Sequence, residues 1–262
     1  MTKTILITGS TDGIGLLTAK KLATGGHIVL LHGRSEAKLA AAAKEIGGNV
    51  ETYCADLSSV EEVKALAASI LKNHNKLDVL INNAGVLKTP KPVLDKGLDA
   101  RFMVNTFAPY LLTKLLLPII PDDGRIVNLS SAAQAPININ AMLGKARLDD
   151  MTAYAQSKLA ITIWTREWAK EKPQGPVFIA VNPASLLASK MVKEGYGIAG
   201  KDMNVGADIL IEAALGERFE NASGQYFDND IGQFSDPHPA ALDSNHASDV
   251  MQIISQFVSQ HS

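Results

Sequence analysis

One stretch near the start of the chain decides the fold, and it reads Thr4-Ile5-Leu6-Ile7-Thr8-Gly9-Ser10-Thr11-Asp12-Gly13-Ile14-Gly15. Its first half is typical of a buried strand, and a helical pattern begins at Gly15. A glycine turn between a strand and a helix presents backbone N–H groups to a pyrophosphate at the positive end of the helix. The spacing is Gly-x3-Gly-x-Gly, and three glycines alone could simply form a tight turn. Their position between strand and helix favours binding of a dinucleotide cofactor.

The rest of the chain alternates strand-like and helix-like patterns. The predicted strands are mostly apolar, as in a parallel sheet covered on both faces, and they span residues 4–8, 27–32, 50–55, 77–82, 125–130, 177–182 and 225–228. The predicted helices span residues 15–24, 36–46, 60–72, 98–117, 152–170, 205–215 and 247–258. This order predicts an α/β protein with a doubly wound parallel sheet, a Rossmann fold, in a single domain of residues 1–262. Residues 132–150 and 185–203 are expected to form substrate loops.

Composition excludes several classes of protein. Of the 262 residues, 46% are hydrophobic, which is enough for a large core, and 20% are charged, which is too few for a disordered chain. The 25 lysine and arginine residues nearly balance 27 aspartate and glutamate residues. A nucleic-acid-binding protein would usually carry a basic surplus. We therefore expect small molecules, or other copies of the chain, as partners.

The sequence also predicts a location. The apolar run at residues 5–7 is too short for a secretory signal, and the most apolar stretch, residues 110–120, is too short to span a bilayer. The single cysteine, Cys54, excludes an internal disulfide and fits a reducing compartment. Because its neighbours form a predicted strand, Cys54 is expected to be a small buried side chain. We expect a cytoplasmic protein without a membrane span.

The end of the second predicted strand indicates which cofactor binds. In a Rossmann unit an acidic side chain here bonds the 2′-hydroxyl of NAD, whereas an arginine accommodates the 2′-phosphate of NADP. The chain has Arg34 followed by Ser35, which favours NADP(H) over NAD(H). Glu36 could support NAD, but it lies where the next helix should begin. The alternative for Arg34 is a solvated side chain at a strand end.

Two Tyr-x-x-x-Lys sequences occur, at Tyr110–Lys114 and at Tyr154–Lys158. The spacing places a phenol and an ammonium on one helical face. A nearby positive charge lowers the pKa of a phenol from about 10, which helps it to exchange protons at neutral pH. The first pair lies in a helix that is apolar on nearly every side, which predicts a packing or interface role. The second follows the strand that ends at Ser130-Ser131, and ligands bind beyond strand ends of this kind, so Tyr154 is predicted to be catalytic.

Together these residues resemble the short-chain dehydrogenases/reductases of the single-domain type, and most of all their retinol-dehydrogenase-like reductases. The resemblance covers residues 3–228. It rests on Thr8-Gly9-x3-Gly13-Ile14-Gly15, Asp56, Asn82-Asn83-Ala84-Gly85, Asn105, Ser131 and Tyr154-x3-Lys158. Arg34, the long insert before Tyr154, and Ser157-Lys158-Leu159-Ala160 indicate the subgroup.

The resemblance implies a role for each site residue. Tyr154 is the general acid in reduction, Lys158 lowers its pKa and binds the nicotinamide ribose, and Ser131, with Ser130 second, holds the substrate oxygen. Asn105 supports a proton relay through water to Lys158, or satisfies a helix distortion, or does both. Besides Tyr154 and Lys158, the implied cofactor-binding residues are Gly9, Ser10, Thr11, Asp12, Gly13, Ile14, Gly15, Arg34, Ser35, Asp56, Leu57, Asn83, Ala84, Gly85, Pro183 and Ser189.

The chain departs from the family pattern after the sixth strand. The family has Pro-Gly there, followed by a threonine that helps to bind the carboxamide. This chain has Pro183-Ala184, and only Ser189 could replace the threonine. If the second position requires φ > 0, alanine adds strain. No metal site is predicted, because the histidine spacing is unsuitable and residues 228–230, interpreted as an exposed acidic turn, fail the calcium-loop pattern.

The predicted function is that of an NADP-dependent carbonyl reductase or alcohol dehydrogenase. Apolar side chains at residues 136–143 and 186–191 suggest a lipophilic substrate. By resemblance, the helices at residues 98–117 and 152–170 often pair subunits, which predicts a homo-oligomer, a dimer or tetramer. The alternative function is a non-catalytic NAD(P)-binding sensor, which the presence of Tyr154 and Lys158 argues against. A nucleotide-sugar epimerase or dehydratase needs a larger C-terminal domain than the roughly 80 residues after the sixth strand.

Overall fold

Eight strands form one sheet in the computed structural model, which describes residues 1–188, 197 and 200–261. They are β1 (Thr4–Ile7), β2 (Ile28–Gly33), β3 (Val50–Cys54), β4 (Val79–Asn82), β5 (Arg125–Leu129), β6 (Val177–Asn182), β7 (Tyr226–Asp228) and β8 (Gln233–Ser235). The order is β3-β2-β1-β4-β5-β6-β7-β8, parallel throughout except between β7 and β8. The predicted α/β Rossmann fold is confirmed. The three-residue β8 was not predicted, because so short a strand shows no alternation.

The described helices alternate with the strands. They are α1 (Gly13–Thr24), α2 (Glu36–Ile46), α3 (Val60–Asn73), α4 (Ala100–Phe102), α5 (Ala108–Leu116), α6 (Ile139–Met142), α7 (Asp150–Glu171), α8 (Met203–Leu215) and α9 (Ser244–Ser259). Ser35, Ser59, Asp149 and Asp243 cap α2, α3, α7 and α9, each accepting a hydrogen bond from an N–H group of the first turn. These caps explain why the helices begin where they do.

Successive strand residues point to opposite faces and fill two cores. Leu6 and Leu80 belong to the core covered by α3, α5, α7 and α9. Ile7 and Ile81 belong to the core covered by α1, α2 and α8. The register pairs Ile7 with Ile81. The loops that follow β1 and β4 therefore leave the sheet side by side, and this places the site.

The first of the two Tyr-x-x-x-Lys sequences, Tyr110–Lys114, has a packing role. Tyr110 lies edge-on to Trp164, and its hydroxyl accepts a hydrogen bond from the Trp168 indole N–H at 3.1 Å. Both tryptophans are buried, whereas Lys114 is exposed. The predicted packing of Tyr110 is confirmed.

The segment Ala100–Ile119 corresponds to the helix predicted at residues 98–117 and has the same length of 20 residues. A π-helical stretch, Met103–Phe107, joins α4 to α5 and makes one helical segment of 20 residues that is long and apolar enough to cross a membrane. Residues 110–120, the stretch expected to be too short to span a bilayer, overlap only the second half of this segment, and the absence of a membrane span stays a prediction. Of the segment's most apolar window, 67% is buried inside the protein, in contact with α3 and α7. Burial in the core accounts for its composition.

Cys54 is exposed, so the prediction that it is a buried side chain is wrong. It lies in β3, the edge strand of the sheet, in which Tyr53 is buried while Glu51, Thr52 and Cys54 are exposed. An edge strand pairs on one side only, and the local sequence does not reveal that position.

The C-terminal helix α9 packs on α7 and on the π-helical stretch. The Phe257 ring stacks on Phe107 with 4.3 Å between ring centres. Part of the helical surface that the homo-oligomer prediction would use is therefore covered by α9. The oligomeric state stays a prediction.

Candidate active site

A cavity of about 680 Å³ lies beyond the carboxyl ends of β1 to β6. An open α/β sheet binds ligands at this edge, where the strand order reverses. The predicted site residues that line it are Gly9, Thr11, Asp12, Gly13, Ile14, Gly15, Arg34, Asp56, Leu57, Asn83, Ala84, Gly85, Ser131, Tyr154, Lys158 and Pro183. Ser10, Ser35 and Asn105 do not line the cavity, and Ser189 lies outside the described residues.

The glycine loop is shaped by a close approach of its two ends. Gly9 and Gly13 have φ of +67° and +58°, which favours glycine. A Cβ on Gly15 would lie 2.4 Å from the Gly9 carbonyl oxygen and 2.5 Å from Asn83 Nδ2. Asn83 Nδ2 donates to the carbonyl oxygens of Thr8 and Gly9 at 2.8 and 3.0 Å. The loop thus keeps its backbone open toward the cavity, as a bound pyrophosphate requires.

His32 supports this loop from behind, and it was missed because a single histidine carries no spacing signal. Its Nδ1 accepts from the Gly9 N–H, and its Nε2 lies 3.1 Å from the Ala55 carbonyl oxygen. Burial lowers the pKa of His32 to about 4, so the ring is neutral and Nε2–H donates to Ala55. Ser10 bonds the His32 backbone through both its amide and its hydroxyl. Ser10 therefore holds the loop against β2 instead of facing the cavity.

Two exposed cations, Arg34 and Lys38, line one end of the cavity. Neither makes an ion pair within residues 1–188, 197 and 200–261. The Ser35 hydroxyl is used to cap α2 and accepts from the Lys38 N–H, while Glu36 lies in the first helical turn. Lys38 was missed because it sits one turn inside α2, away from the strand end. A phosphate suits this cationic end.

The next wall of the cavity follows β3 and β4. Asp56 and Leu57 line the cavity, and Asp56 Oδ1 also accepts from the Ser58 N–H at 2.8 Å, which supports the turn. Asn82 is the last residue of β4, and its Nδ2 donates to Asn128 Oδ1 in β5 at 2.8 Å. This bond joins β4 to β5 and stabilises the sheet at the start of the Asn82-Asn83-Ala84-Gly85 segment.

Helix α7 carries Tyr154 and Lys158 on one face. Lys158 is only 3% exposed, and its Nζ donates to the Leu129 carbonyl at 2.7 Å. Nζ lies 5.7 Å from the centre of the Tyr154 ring. Burial lowers the pKa of Lys158 to about 8, so the side chain is mostly an ammonium at pH 7. A cation is thus held beside the phenol at the end of β5.

The two adjacent serines are used differently. The Ser130 hydroxyl is buried and lies 2.6 Å from the Thr162 hydroxyl. The Ser131 hydroxyl accepts from the Ala133 N–H at 3.1 Å and, among the described residues, donates no hydrogen bond. Its O–H is thus available to an oxygen in the cavity, which favours Ser131 over Ser130. Tyr226, which sequence reasoning missed, donates to the Ser131 carbonyl at 3.2 Å and fixes its backbone.

Asn105 lies in the π-helical stretch and joins three elements. Its Oδ1 accepts from the Val86 N–H at 2.8 Å, and its Nδ2 donates to the Val86 carbonyl at 3.0 Å and to the Ser157 hydroxyl at 2.9 Å. These bonds tie the widened turn to the loop after β4 and to α7. They support the role in a helix distortion, and the proton relay to Lys158 stays a prediction.

The loop after β6, residues 183–187 and called the β6 loop below, contains the departure from the family pattern. Ala184 has φ of +105° and Leu186 has φ of +59°. The position does require φ > 0, so alanine is strained there. Residues 228–230, called the β7 turn below, end in a turn in which Asp230 is exposed, as predicted, and they also hydrogen-bond to this loop. The described residues contain no group of three or more metal-ligating side chains.

Known proteins share both the sequence pattern and the architecture. A family model described as short chain dehydrogenase matches residues 3–196. Retinol dehydrogenase 13 from Homo sapiens is 37% identical over 178 residues, which are 64% of this chain and 54% of that protein. The chain thus spans about half the length of that relative. Retinol dehydrogenase 12 from Mus musculus is 34% identical over 240 residues, 84% of this chain and 76% of that protein.

A solved structure shows the same architecture. A short-chain dehydrogenase from Shigella flexneri 2a, determined in complex with NADP, has a TM-score of 0.70 and is 28% identical. The match covers 87% of this chain and 97% of that chain.

Proposed function

The chain belongs to the short-chain dehydrogenase family of oxidoreductases, and from that premise we propose that it transfers a hydride between NADP(H) and a carbonyl or alcohol substrate. One observation carries this proposal: the buried Lys158 ammonium lies beside Tyr154 in the cavity that the glycine loop also lines. A non-catalytic sensor has no need to bury a cation beside a phenol.

The cavity fits a dinucleotide, because the glycine loop at the start of α1 lines it and it extends from Arg34 to Tyr154. The bound cofactor supplies the hydride in reduction and accepts it in oxidation. In reduction, the Ser131 O–H donates to the carbonyl oxygen and holds it in place. Tyr154 gives its proton to that oxygen, and the Lys158 ammonium stabilises the phenolate that remains.

The preference for NADP is supported by Arg34 and Lys38. Two cations at the end of the cavity near β2 would bind the 2′-phosphate, which NAD lacks. The NADP complex of the Shigella flexneri protein is consistent with this choice. Arg34→Asp should reverse the preference, since a carboxylate repels the phosphate and accepts from ribose hydroxyls.

The substrate proposed is lipophilic. Val86, Leu87, Val104, Leu186 and Leu187 give the cavity apolar walls. Such walls bind apolar surface and leave the orientation to a few polar groups, here Ser131 and Tyr154. The names of the two retinol dehydrogenases are consistent with a lipophilic alcohol or aldehyde.

The test uses purified protein with a panel of aldehydes, ketones and alcohols, and with NADPH and NADH. Absorbance of the reduced cofactor and formation of the alcohol are followed together. We expect one alcohol formed for each NADPH oxidised, and a higher kcat/KM with NADPH than with NADH. Equal use of both cofactors, or an unchanged preference in Arg34→Asp, would contradict the assignment of NADP. The cytoplasmic location and the homo-oligomer stay predictions.

A further inference from the structure

The β6 loop is strained. Ala184 and Leu186 both adopt left-handed φ values, +105° and +59°, although both carry a Cβ. In this region the Cβ crowds the backbone, so L residues other than glycine adopt it rarely. Such residues persist only where their surroundings determine the conformation. Some other part of the protein must therefore hold this loop.

The side chain of Asp230 makes that contact. It accepts two hydrogen bonds from Ser185, one from the backbone N–H at 2.9 Å and a short one from the hydroxyl. Its Oδ2 also accepts from Asn182 Nδ2 at 3.0 Å, and its Oδ1 lies 3.7 Å from Lys201 Nζ. Hydrogen bonds to an ionised carboxylate are stronger than those to a neutral group. A single carboxylate thus binds the loop immediately beside the strained Ala184.

The neighbouring contacts fix the ends of the loop. Asn229 Nδ2 donates to the Pro183 carbonyl at 3.1 Å. The Lys201 backbone N–H donates to the Leu186 carbonyl at 2.6 Å, and its carbonyl accepts from Ala188 at 2.8 Å. The middle of the loop, Ser185, is held by Asp230. Removing this carboxylate should therefore release the centre of the loop and leave its ends in place.

We propose that Asp230 is a positioning residue that holds the β6 loop in its strained form and thereby raises the affinity for the cofactor. The proposal rests on the proposed function, because the β6 loop lines the same cavity as Tyr154 and Lys158. Without Asp230, Ala184 relaxes toward negative φ and the cavity wall moves away from the cofactor.

A substitution at Ala184 distinguishes this role from a general contribution to stability. Glycine adopts φ of +105° without the Cβ penalty, so Ala184→Gly removes the strain that Asp230 opposes. In the wild type the loop is already in place, and Ala184→Gly should tighten NADPH binding by less than about twofold. When Asp230 is missing, the same change should restore a much larger part of the binding, because the loop then populates its functional form again.

The experiment measures the Kd for NADPH by fluorescence titration of the full chain. The variants are Asp230→Asn, Ala184→Gly, the double variant, and Asp236→Asn as a control that removes an exposed carboxylate six positions away. We expect Asp230→Asn to raise the Kd about tenfold, as for the loss of a charged hydrogen bond. The double variant should return to within about threefold of the wild type, and Asp236→Asn should bind like the wild type. If Asp230→Asn folds poorly, Ser185→Ala removes the hydroxyl bond instead, and the same rescue by Ala184→Gly is expected.

Two results would overturn the inference. The first is a Kd for NADPH that is unchanged in Asp230→Asn. The second is an Ala184→Gly effect on the Kd that is the same with and without Asp230, as expected for two independent substitutions. If the wild type binds neither NADPH nor NADH, the proposed function itself is wrong. Amide hydrogen exchange at Ser185, measured without cofactor, tests the loop separately: it should be faster in Asp230→Asn and slow again in the double variant.

Discussion

Replacing Lys158 with methionine removes a charge that the fold buries at a cost. Burial lowers the pKa of Lys158 from 10.5 to about 8, which corresponds to about 3 kcal/mol of destabilisation while the side chain is protonated. The change also deprives the Leu129 carbonyl of its donor at 2.7 Å, a loss of about 1–2 kcal/mol. Lys158→Met should therefore raise the free energy of unfolding at pH 7 by about 1–2 kcal/mol, while turnover is lost.

The pH determines whether Lys158→Met is more stable or less stable than the wild type. Between about pH 8 and pH 10.5 the unfolded chain keeps the proton on Lys158 and the folded protein loses it, so the wild type becomes more stable as the pH rises. Integrated from pH 7 to pH 10, this gain is about 2–3 kcal/mol. Lys158→Met lacks the gain. Its advantage over the wild type at pH 7 should disappear, or reverse, by pH 10.

Urea unfolding of both proteins at pH 7 and pH 10 measures this difference. Lys114→Met is the matched control, since Lys114 belongs to the other Tyr-x-x-x-Lys sequence and is exposed. It should change the free energy of unfolding by less than about 0.5 kcal/mol and leave turnover intact. A Lys158→Met protein that is less stable than the wild type by the same amount at both pH values would refute the reasoning.

Three further predictions concern the loop, the core and the surface. Gly15→Ala should weaken NADPH binding at least about tenfold, because the new Cβ would lie 2.4 Å from the Gly9 carbonyl oxygen, whereas Gly25→Ala should bind normally in the same titration. Equal binding by the two variants would exclude the close approach as the reason for Gly15. Arg101→Met should lower the free energy of unfolding, measured in urea, by about 3 kcal/mol, because Arg101 is only 1% exposed and its guanidinium pairs with the carboxylates of Asp99 and Asp150. A loss of less than about 1 kcal/mol would contradict this. Cys54, which is exposed, should react with a thiol reagent in the native protein as completely as in urea, and protection in the native state would argue that it is buried.

Features with a local pattern were predictable from the sequence. Strand and helix periodicity predicted the sheet. The glycine spacing predicted the cofactor loop, and the position of Tyr154 after β5 predicted the catalytic residue. The structure brings these residues around one cavity. Each of these signals lies within one element or one turn, where the chain's own geometry fixes which side chains meet.

Features that depend on contacts between distant residues were missed. His32 bonds Gly9 across 23 positions, and Asp230 bonds Ser185 across 45, and neither pair has a recognisable spacing. The π-helical stretch around Asn105 likewise depends on Val86, 19 positions away. Cys54 was misplaced because only the assembled sheet shows that β3 is an edge strand.

Turnover of Tyr154→Phe, compared with Tyr110→Phe, tests the proposed proton transfer most directly. With NADPH and the best carbonyl substrate of the panel, Tyr154→Phe should bind the cofactor within about threefold of the wild type and lose at least about 100-fold in kcat. Tyr110→Phe, whose hydroxyl bonds Trp168 in the core, should keep its kcat and lose about 1 kcal/mol of stability. A Tyr154→Phe protein that turns over at the wild-type rate would contradict the assignment of Tyr154 as the general acid.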